Sequence, residues 1–375
     1  MTNFICDSAE ATFDNMAEMQ TFVAERVQQT EWLEEGVRNV IFDSLHDEPL
    51  CAPEYARKMG VSALAVEDTM DVNSAGLALT TSIGKRPVGW SAVKSIADRA
   101  GLMPGGFEKL RKGNREHLKT VLNLMFDVSS GAVQIKVADE KVRAVHSGRY
   151  AVINADRLLE IVKEYFDDNW PAAKFVNGYY SHELMRESIN LEAYKDIFFE
   201  KLPQDSVLAG ATPAFVLSSS DIATSAVKLI PCLNMGGVTV PMAKEIAIPH
   251  VGEDIEARVQ NGLEKLLAYF QANAADLQAL ETVTVKNGKN ALVRCLKTGG
   301  MPKACAGEAV EGFVAMYGTD QVTALEVYLA ACDAYSYVVR DYPNDHMKIF
   351  AAADCVARVA ATRWSDVDIP GEVEL

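Results

Sequence analysis

Period-two alternation around residue 140 constrains the fold of this chain more than any other feature. Apolar and polar side chains alternate over residues 133–137, Asp139-Glu140 supplies a turn, and an apolar-rich arm follows over residues 142–145. This pattern predicts a β-hairpin with one buried face and one face in water. The residues expected on the wet face are Lys136, Lys141 and Arg143.

Helical periodicity flanks this hairpin on both sides. Segments with apolar residues at three- and four-residue spacing predict helices; they cover 9–45, 91–100, 106–127, 156–166, 253–273, 319–340 and 345–362. Stretches rich in β-formers predict further strands, at 174–181, 213–219 and 224–230. Helices and hairpins are intermixed without regular β-α-β alternation. The predicted fold class is therefore α+β, with a central antiparallel or mixed sheet flanked by helices.

Charge is distributed unevenly along the 375 residues, whose formal net charge is −16. Residues 1–84 carry four basic and fifteen acidic side chains, whereas residues 85–149 carry thirteen basic and six acidic ones, a net charge of +7. We therefore expect three regions. They are an acidic, mainly helical N-terminal region (1–84), an α+β core (85–280) containing the basic segment 85–149, and a mainly helical C-terminal region (281–375). The overall acidity argues against attraction of nucleic acid by the whole surface.

The sequence favours a cytoplasmic protein. No apolar run reaches the roughly 18 residues that span a bilayer, so we expect no membrane partner. The N-terminus, Met-Thr-Asn-Phe-Ile-Cys-Asp, lacks the basic and apolar regions of a secretory signal. The seven cysteines are scattered without a C-x-x-C pair. They are typical of small buried side chains in a reducing compartment.

The basic segment is the candidate nucleic-acid interface. Cationic side chains neutralise phosphates and aromatic faces stack on bases, so their mixture suits a single-strand groove. The candidate phosphate-binding residues are Lys85, Arg86, Lys94, Arg99, Lys109, Arg111, Lys112 and Arg115. The candidate stacking residues are Trp90, Phe107 and Tyr150, with Arg149 as a further phosphate contact. The alternative is a solvated helix face with Trp90 and Phe107 in the core and Arg149 beside a buried Tyr150. The acidic first region could also cover the basic segment.

Catalytic signatures are missing from the sequence. There is no P-loop, no G-x-G-x-x-G, no H-E-x-x-H and no nucleophile elbow. The six histidines lie far apart, without the paired spacing of metal ligands. We therefore predict no catalytic residue, no metal ligand and no cofactor, which leaves enzymatic activity uncertain but disfavoured.

Three segments resemble a known protein family. They are His146-Ser147-Gly148-Arg149-Tyr150, the stretch from Thr224 through Pro231 to Gly237, and Ile248-Pro249-His250-Val251-Gly252 with the helix that follows. Together they are similar to the phage/plasmid-like family called domain of unknown function 932, as a divergent member. The family's Arg-x-x-Cys-Thr-Asn-Gly stretch is shorter here and lacks the arginine. The family's setting in phages and plasmids implies DNA-associated work such as recombination or defence. For a phage-encoded protein it also implies that the cytoplasm is that of the host cell.

These observations favour a mobile-element protein that binds or anneals single-stranded DNA as a homo-oligomer, without enzymatic turnover. Two alternatives stay open. One is a protein–protein interaction module, such as a phage-encoded assembly or anti-defence factor with a host or phage protein partner. The other is a metal-dependent nuclease whose site is assembled from dispersed residues.

Overall fold

The computed structural model describes residues 10–44, 56–57, 60, 62, 75–181, 183–203, 206–222, 225–318, 321–343 and 345–375. Its helices are α1 (Met16–Gln28), α2 (Ala92–Arg99), α3 (Pro104–Gly113), α4 (Arg115–Asp127), α5 (Ala155–Asn169), α6 (Lys195–Phe198), α7 (Ile255–Glu264), α8 (Leu266–Ala279), α9 (Gly288–Gly299), α10 (Lys303–Tyr317), α11 (Ala324–Asp341), α12 (His346–Ala360) and α13 (Trp364–Val367). Its strands are β1 (Glu10–Phe13), β2 (Thr30–Gly36), β3 (Ile41–Ser44), β4 (Leu77–Thr81), β5 (Gly84–Pro87), β6 (Ala132–Ala138), β7 (Lys141–Ser147), β8 (Lys174–Ser181), β9 (Leu184–Asn190), β10 (Thr212–Ser220), β11 (Val227–Met235), β12 (Val238–Pro241), β13 (Ile246–Ile248), β14 (Thr284–Val285) and β15 (Val322–Thr323).

A seven-stranded antiparallel sheet organises the larger lobe. Its strands follow the order β1-β8-β9-β10-β11-β12, and β13 also pairs with β11. Helices cover both faces, so the predicted α+β class is confirmed. The sheet follows from β-rich segments joined mostly by short connections, which favour antiparallel neighbours.

The main apolar core covers one face of this sheet and continues through the C-terminal helices. Met185 and Phe215 of the sheet belong to the same buried cluster as Leu159 of α5 and Phe270 of α8. Helix α1 comes closest at Gly178 of β8, where a Cβ atom would overlap the sulfur of Met19. Glycine is therefore required at this position by the close approach of the helix.

The opposite face of the sheet meets the C-terminal helices. Helix α12 contacts β12, and α11 packs beside α12. Helix α11 begins with a capping box, in which Thr323 and Glu326 satisfy each other's backbone N–H groups. The apolar cluster within the sheet on this side is small and comprises Ala214, Val216, Ile230 and Cys232.

A smaller lobe has its own apolar core. It is built from two three-stranded sheets, β2-β6-β7 and β3-β4-β5, with helices α2, α3 and α4. Phe42 of β3 and Phe126 of α4 meet edge to face in this core, with ring centroids 4.9 Å apart. The boundary expected after Gly84 falls inside strand β5, which pairs with β4 within this lobe.

Two expectations about local structure are wrong. Within the predicted helix 9–45, the described residues 10–44 form an α-helix only over Met16–Gln28 and a short 3-10 helix over Val37–Asn39, because residues 30–36 pair with β6 as strand β2. The helical spacing of apolar residues in the second half of this stretch was therefore misleading. The predicted β6–β7 hairpin is present, but Lys136, Lys141 and Arg143 are all buried rather than exposed to solvent. Lys136 meets Glu183 and Asp221 from other segments of the chain, and Arg143 meets Asp139 in the turn of the same hairpin, so these cations are not left in water.

In the part of the chain that the structure describes, no helix is both long enough and apolar enough to cross a bilayer.

Candidate functional site

The basic segment 85–149 builds most of the smaller lobe, and much of its charge is balanced there. Lys85 forms an ion pair with Asp43 at 2.9 Å, and Arg86 pairs with Glu140 at 3.0 Å. Lys119 pairs with Glu116 at 2.7 Å. These pairs reduce the positive field that the sequence alone suggested.

Helix α3 shows the same compensation. Nε and Nη2 of Arg111 each donate to the Glu108 carboxylate at 2.8 Å, and Lys112 lies 3.2 Å from the same carboxylate. The hydrogen bond from Arg111 lowers the pKa of Glu108 to about 2. Lys112 nevertheless keeps 70% of its side chain exposed. Arg111 is therefore committed to an internal pair, whereas Lys112 can still reach a ligand.

The three aromatic rings proposed for stacking are already in contact with other side chains. Phe107 is completely buried in the core of the smaller lobe, so its ring is not available to a base. Trp90 is half-buried beneath the Arg111 guanidinium, which lies 4.6 Å from the ring centroid. The ring of Tyr150 stacks on His146 at 3.9 Å and on His250 at 5.0 Å. The predicted stacking platform is not formed in this conformation.

A groove between α2 and β7 is lined by one of the cations that remain accessible, Arg99. This groove has a volume of about 250 Å³ and is lined by Ser95, Asp98, Arg99 and residues 145–147. Arg99 donates to the Ser130 carbonyl at 3.2 Å, and Arg149 is exposed just beyond the groove. Lys94 and Lys109 are exposed on α2 and α3, and the side chain of Arg115 lies outside the described residues. Among the described residues, no carboxylate forms an ion pair with Arg99, Lys109 or Arg149.

A buried ionic network joins the two lobes, and the sequence did not reveal it. Arg26 of α1 bridges Asp139 at 2.8 Å and Glu183 at 3.0 Å. Arg143 also reaches Asp139, at 3.0 Å, while Lys136 contacts both Glu183 and, at 2.8 Å, Asp221. Asp139 and Glu183 both have positive φ angles, 52° and 60°. Their turns hold backbone strain at the place where the lobes meet.

The electrostatics of this network favour its fully ionised form. Burial would raise the pKa of Glu183, but attraction by Lys136 and Arg26 outweighs it and lowers that pKa below its ordinary value. Burial would lower the pKa of Lys136, but Asp221 and Glu183 raise it. Three cations face three carboxylates, and a cavity of about 10 Å³ beside them has room for one water molecule. The arrangement stabilises the junction and leaves no acid or base free for chemistry.

The aromatic stack lies over this network. His146 Nε2 is 2.7 Å from the Asp221 carbonyl oxygen, and the Tyr150 hydroxyl lies 3.4 Å from the Asp221 carboxylate. His250 Nδ1 lies 3.2 Å from the Ala151 carbonyl oxygen. Burial lowers the pKa of both histidines, which keeps their rings neutral near pH 7. Each ring of the stack is therefore held by a structural contact.

Two of the segments that carry the family resemblance meet at this stack. Tyr150 comes from the first segment and His250 from the third, and the Ala151 N–H donates to the His250 carbonyl at 3.0 Å. Comparison with protein-family models, with curated proteins and with solved structures gives no match for this chain. The family resemblance, the homo-oligomer and the protein partners stay predictions.

Within the described ranges, no group of three or more His, Cys, Asp or Glu side chains is placed to hold a metal ion. The nuclease alternative therefore gains no support from the geometry.

Proposed function

We propose that this protein binds nucleic acid in the cytoplasm through its smaller lobe, by neutralising phosphates rather than by stacking bases, and that single-stranded DNA is its preferred form. The observation that carries the proposal is the groove between α2 and β7. Arg99 lines it, and Arg149 lies exposed at the end of β7. Cations without a carboxylate partner are the groups that attract phosphate.

The size of the groove favours a single strand. Its volume of about 250 Å³ is below that of ordinary drug-sized pockets, so the group that enters it is no larger than about one nucleotide. The flexible backbone of a single strand can place such a group in the groove more readily than a duplex can. Phosphate contacts from arginine give affinity without base preference. The groove also contains Asp98, whose carboxylate repels phosphate and limits the affinity.

Fluorescence anisotropy with a labelled single strand and a duplex of equal length, across a salt series, tests the proposal. We expect the single strand to bind more tightly, with a log–log salt slope of about −0.7 for each neutralised phosphate. Changing Arg99, Lys109 and Arg149 together to Gln should abolish most of this slope. The matched control removes the same charge from exposed lysines of the larger lobe: Lys265, Lys286 and Lys303.

A second variant tests the groove from the opposite direction. Asp98→Asn removes the repelling carboxylate, so it should strengthen binding and leave base preference unchanged. No binding to either DNA at low salt, or equal loss in the control triple variant, contradicts the proposal. Binding to a host protein without any affinity for polyanions would favour the protein–protein alternative instead.

A further inference from the structure

A polar row crosses the central sheet on the face beneath the C-terminal helices. Tyr179, Arg186, Ser218 and Lys228 stand opposite one another on β8, β9, β10 and β11. The other face of the same strands carries the main apolar core. A sheet face covered by helices is ordinarily apolar throughout, because both elements bury their apolar sides there. The polar row is therefore unusual for a covered sheet face, and it marks a candidate binding site.

Two adjoining cavities lie along this row. The larger has a volume of about 320 Å³ and lies between the sheet and the start of α12; the smaller has about 260 Å³ and lies beside the later turns of α12. Arg186 lines both. Together they reach the size at which proteins enclose small organic ligands. We name them the Arg186 cleft.

Arg186 is the cation that faces both cavities of the cleft. Arg358 also lines the smaller cavity, where it donates to the Gly299 carbonyl at 2.8 Å. The Arg186 guanidinium lies 4.5 Å from the centroid of the Phe350 ring. No hydrogen bond or ion pair joins it to another residue in the described ranges. Lys228, its neighbour in the cleft, is paired with Glu245 at 2.8 Å. A guanidinium presents donors in a fork that matches a carboxylate or a phosphate.

The walls of the larger cavity suit the body of an organic anion. Aromatic side chains of the helices, Tyr335 and Phe350, line it together with Val216 of the sheet. Asn177, Ser188 and Thr239 add uncharged polar groups to its lining, and Asp14 adds one carboxylate. Tyr179 is fixed at the edge, because its hydroxyl donates to Glu10 at 2.6 Å and its ring stacks on His346 at 3.7 Å.

We propose that the Arg186 cleft binds a small organic anion, with its carboxylate or phosphate group on Arg186 and its apolar body between Tyr335 and Phe350. This site is separate from the groove between α2 and β7, and it does not depend on nucleic-acid binding. A phosphate ester and a carboxylate share the chemistry that Arg186 recognises, so the test distinguishes them.

Isothermal titration calorimetry with the full chain tests the proposal, using benzoate, phenyl phosphate and benzamide as probes. Benzamide is the neutral isostere of benzoate. We expect one anion to bind at least about tenfold more tightly than benzamide, which corresponds to about 1.4 kcal/mol. The tighter of the two anions identifies the carboxylate or the phosphate class.

Variants locate the site. Arg186→Gln should remove the preference for the anion, and Arg186→Lys should retain part of it, because the charge remains while the fork is lost. Ser188→Leu reduces the larger cavity while leaving Arg186 in place, and it should weaken binding as well. Arg363→Gln, at a side chain 83% exposed beyond the end of α12, is the matched control and should bind as the unaltered chain does. Equal binding of benzoate and benzamide, no binding of either anion at millimolar concentration, or unchanged affinity in Arg186→Gln would overturn the proposal.

Discussion

Glu187 should make this protein less stable as the pH rises. Its side chain lies in the middle of β9, is completely buried, and has no hydrogen-bond partner for either carboxylate oxygen among the described residues. Burial alone raises its pKa from 4.5 to about 8. The unfolded chain releases this proton near pH 4.5, whereas the folded chain retains it until about pH 8. Between these values the folded state binds more protons, so the free energy of unfolding falls with rising pH.

The magnitude follows from that interval. Each pH unit between the two pKa values changes the free energy of unfolding by about 1.4 kcal/mol. At pH 7, about two and a half units above the ordinary pKa, burial of this carboxyl therefore costs about 3 kcal/mol relative to low pH. Glu187→Met replaces the carboxyl by an apolar side chain of similar length. We expect the variant to be more stable than the unaltered chain, by a margin that grows from pH 5 to pH 8.

Urea unfolding at several pH values, followed by circular dichroism, measures this margin. The quantity to compare is the difference in free energy of unfolding between variant and unaltered chain, because other groups titrate in the same range. Glu264→Gln, at an exposed position on α7, is the control and should show no pH-dependent difference. A difference for Glu187→Met that stays constant with pH would refute the reasoning.

Three further predictions concern the fold. Glu183→Gln should destabilise the protein by about 3–5 kcal/mol, since it leaves Arg26 and Lys136 buried without a full partner; urea unfolding measures this, and a loss below 1 kcal/mol would contradict it. Burial lowers the pKa of His146, so the stability that its neutral ring contributes is fully present above pH 6.5 and is lost as the pH falls below that value. Thermal unfolding of His146→Gln should accordingly depend less on pH between 5 and 6.5 than that of the unaltered chain. Gly178→Ala should cost about 1–3 kcal/mol, because the added Cβ displaces Met19; an unchanged melting temperature would contradict this.

Local patterns predicted much of the fold. The hairpin around Asp139-Glu140 is an example. Its two turn residues both adopt positive φ, and the strands that they connect show the period-two alternation from which the hairpin was predicted. Strand β2 was misread as helix, since its identity as a strand comes from pairing with β6 about a hundred residues further along the chain. Local periodicity carries no information about such a partner.

The candidate sites were less predictable than the fold. The basic residues of segment 85–149 are visible in the sequence, but which of them face a carboxylate is decided by distant segments. Lys136 is the clearest case, because its partners Glu183 and Asp221 lie on separate turns of the larger lobe. Arg186 could not be predicted as a binding residue either, because a single arginine in a strand gives no sign of a cavity. The cavity beside it exists only because of how the C-terminal helices pack on the sheet.

The pairing of β1 with β8 also determines when the two lobes can be completed during synthesis. The smaller lobe draws on residues 30–147, so its core is available once that stretch has left the ribosome. Strand β1, at the start of the chain, can join its sheet only after residues 174–181 have emerged. Since domains generally fold as units while the chain is made, the smaller lobe is expected to form first. Strand β1 then pairs with β8 at a later stage, and this pairing completes one edge of the central sheet.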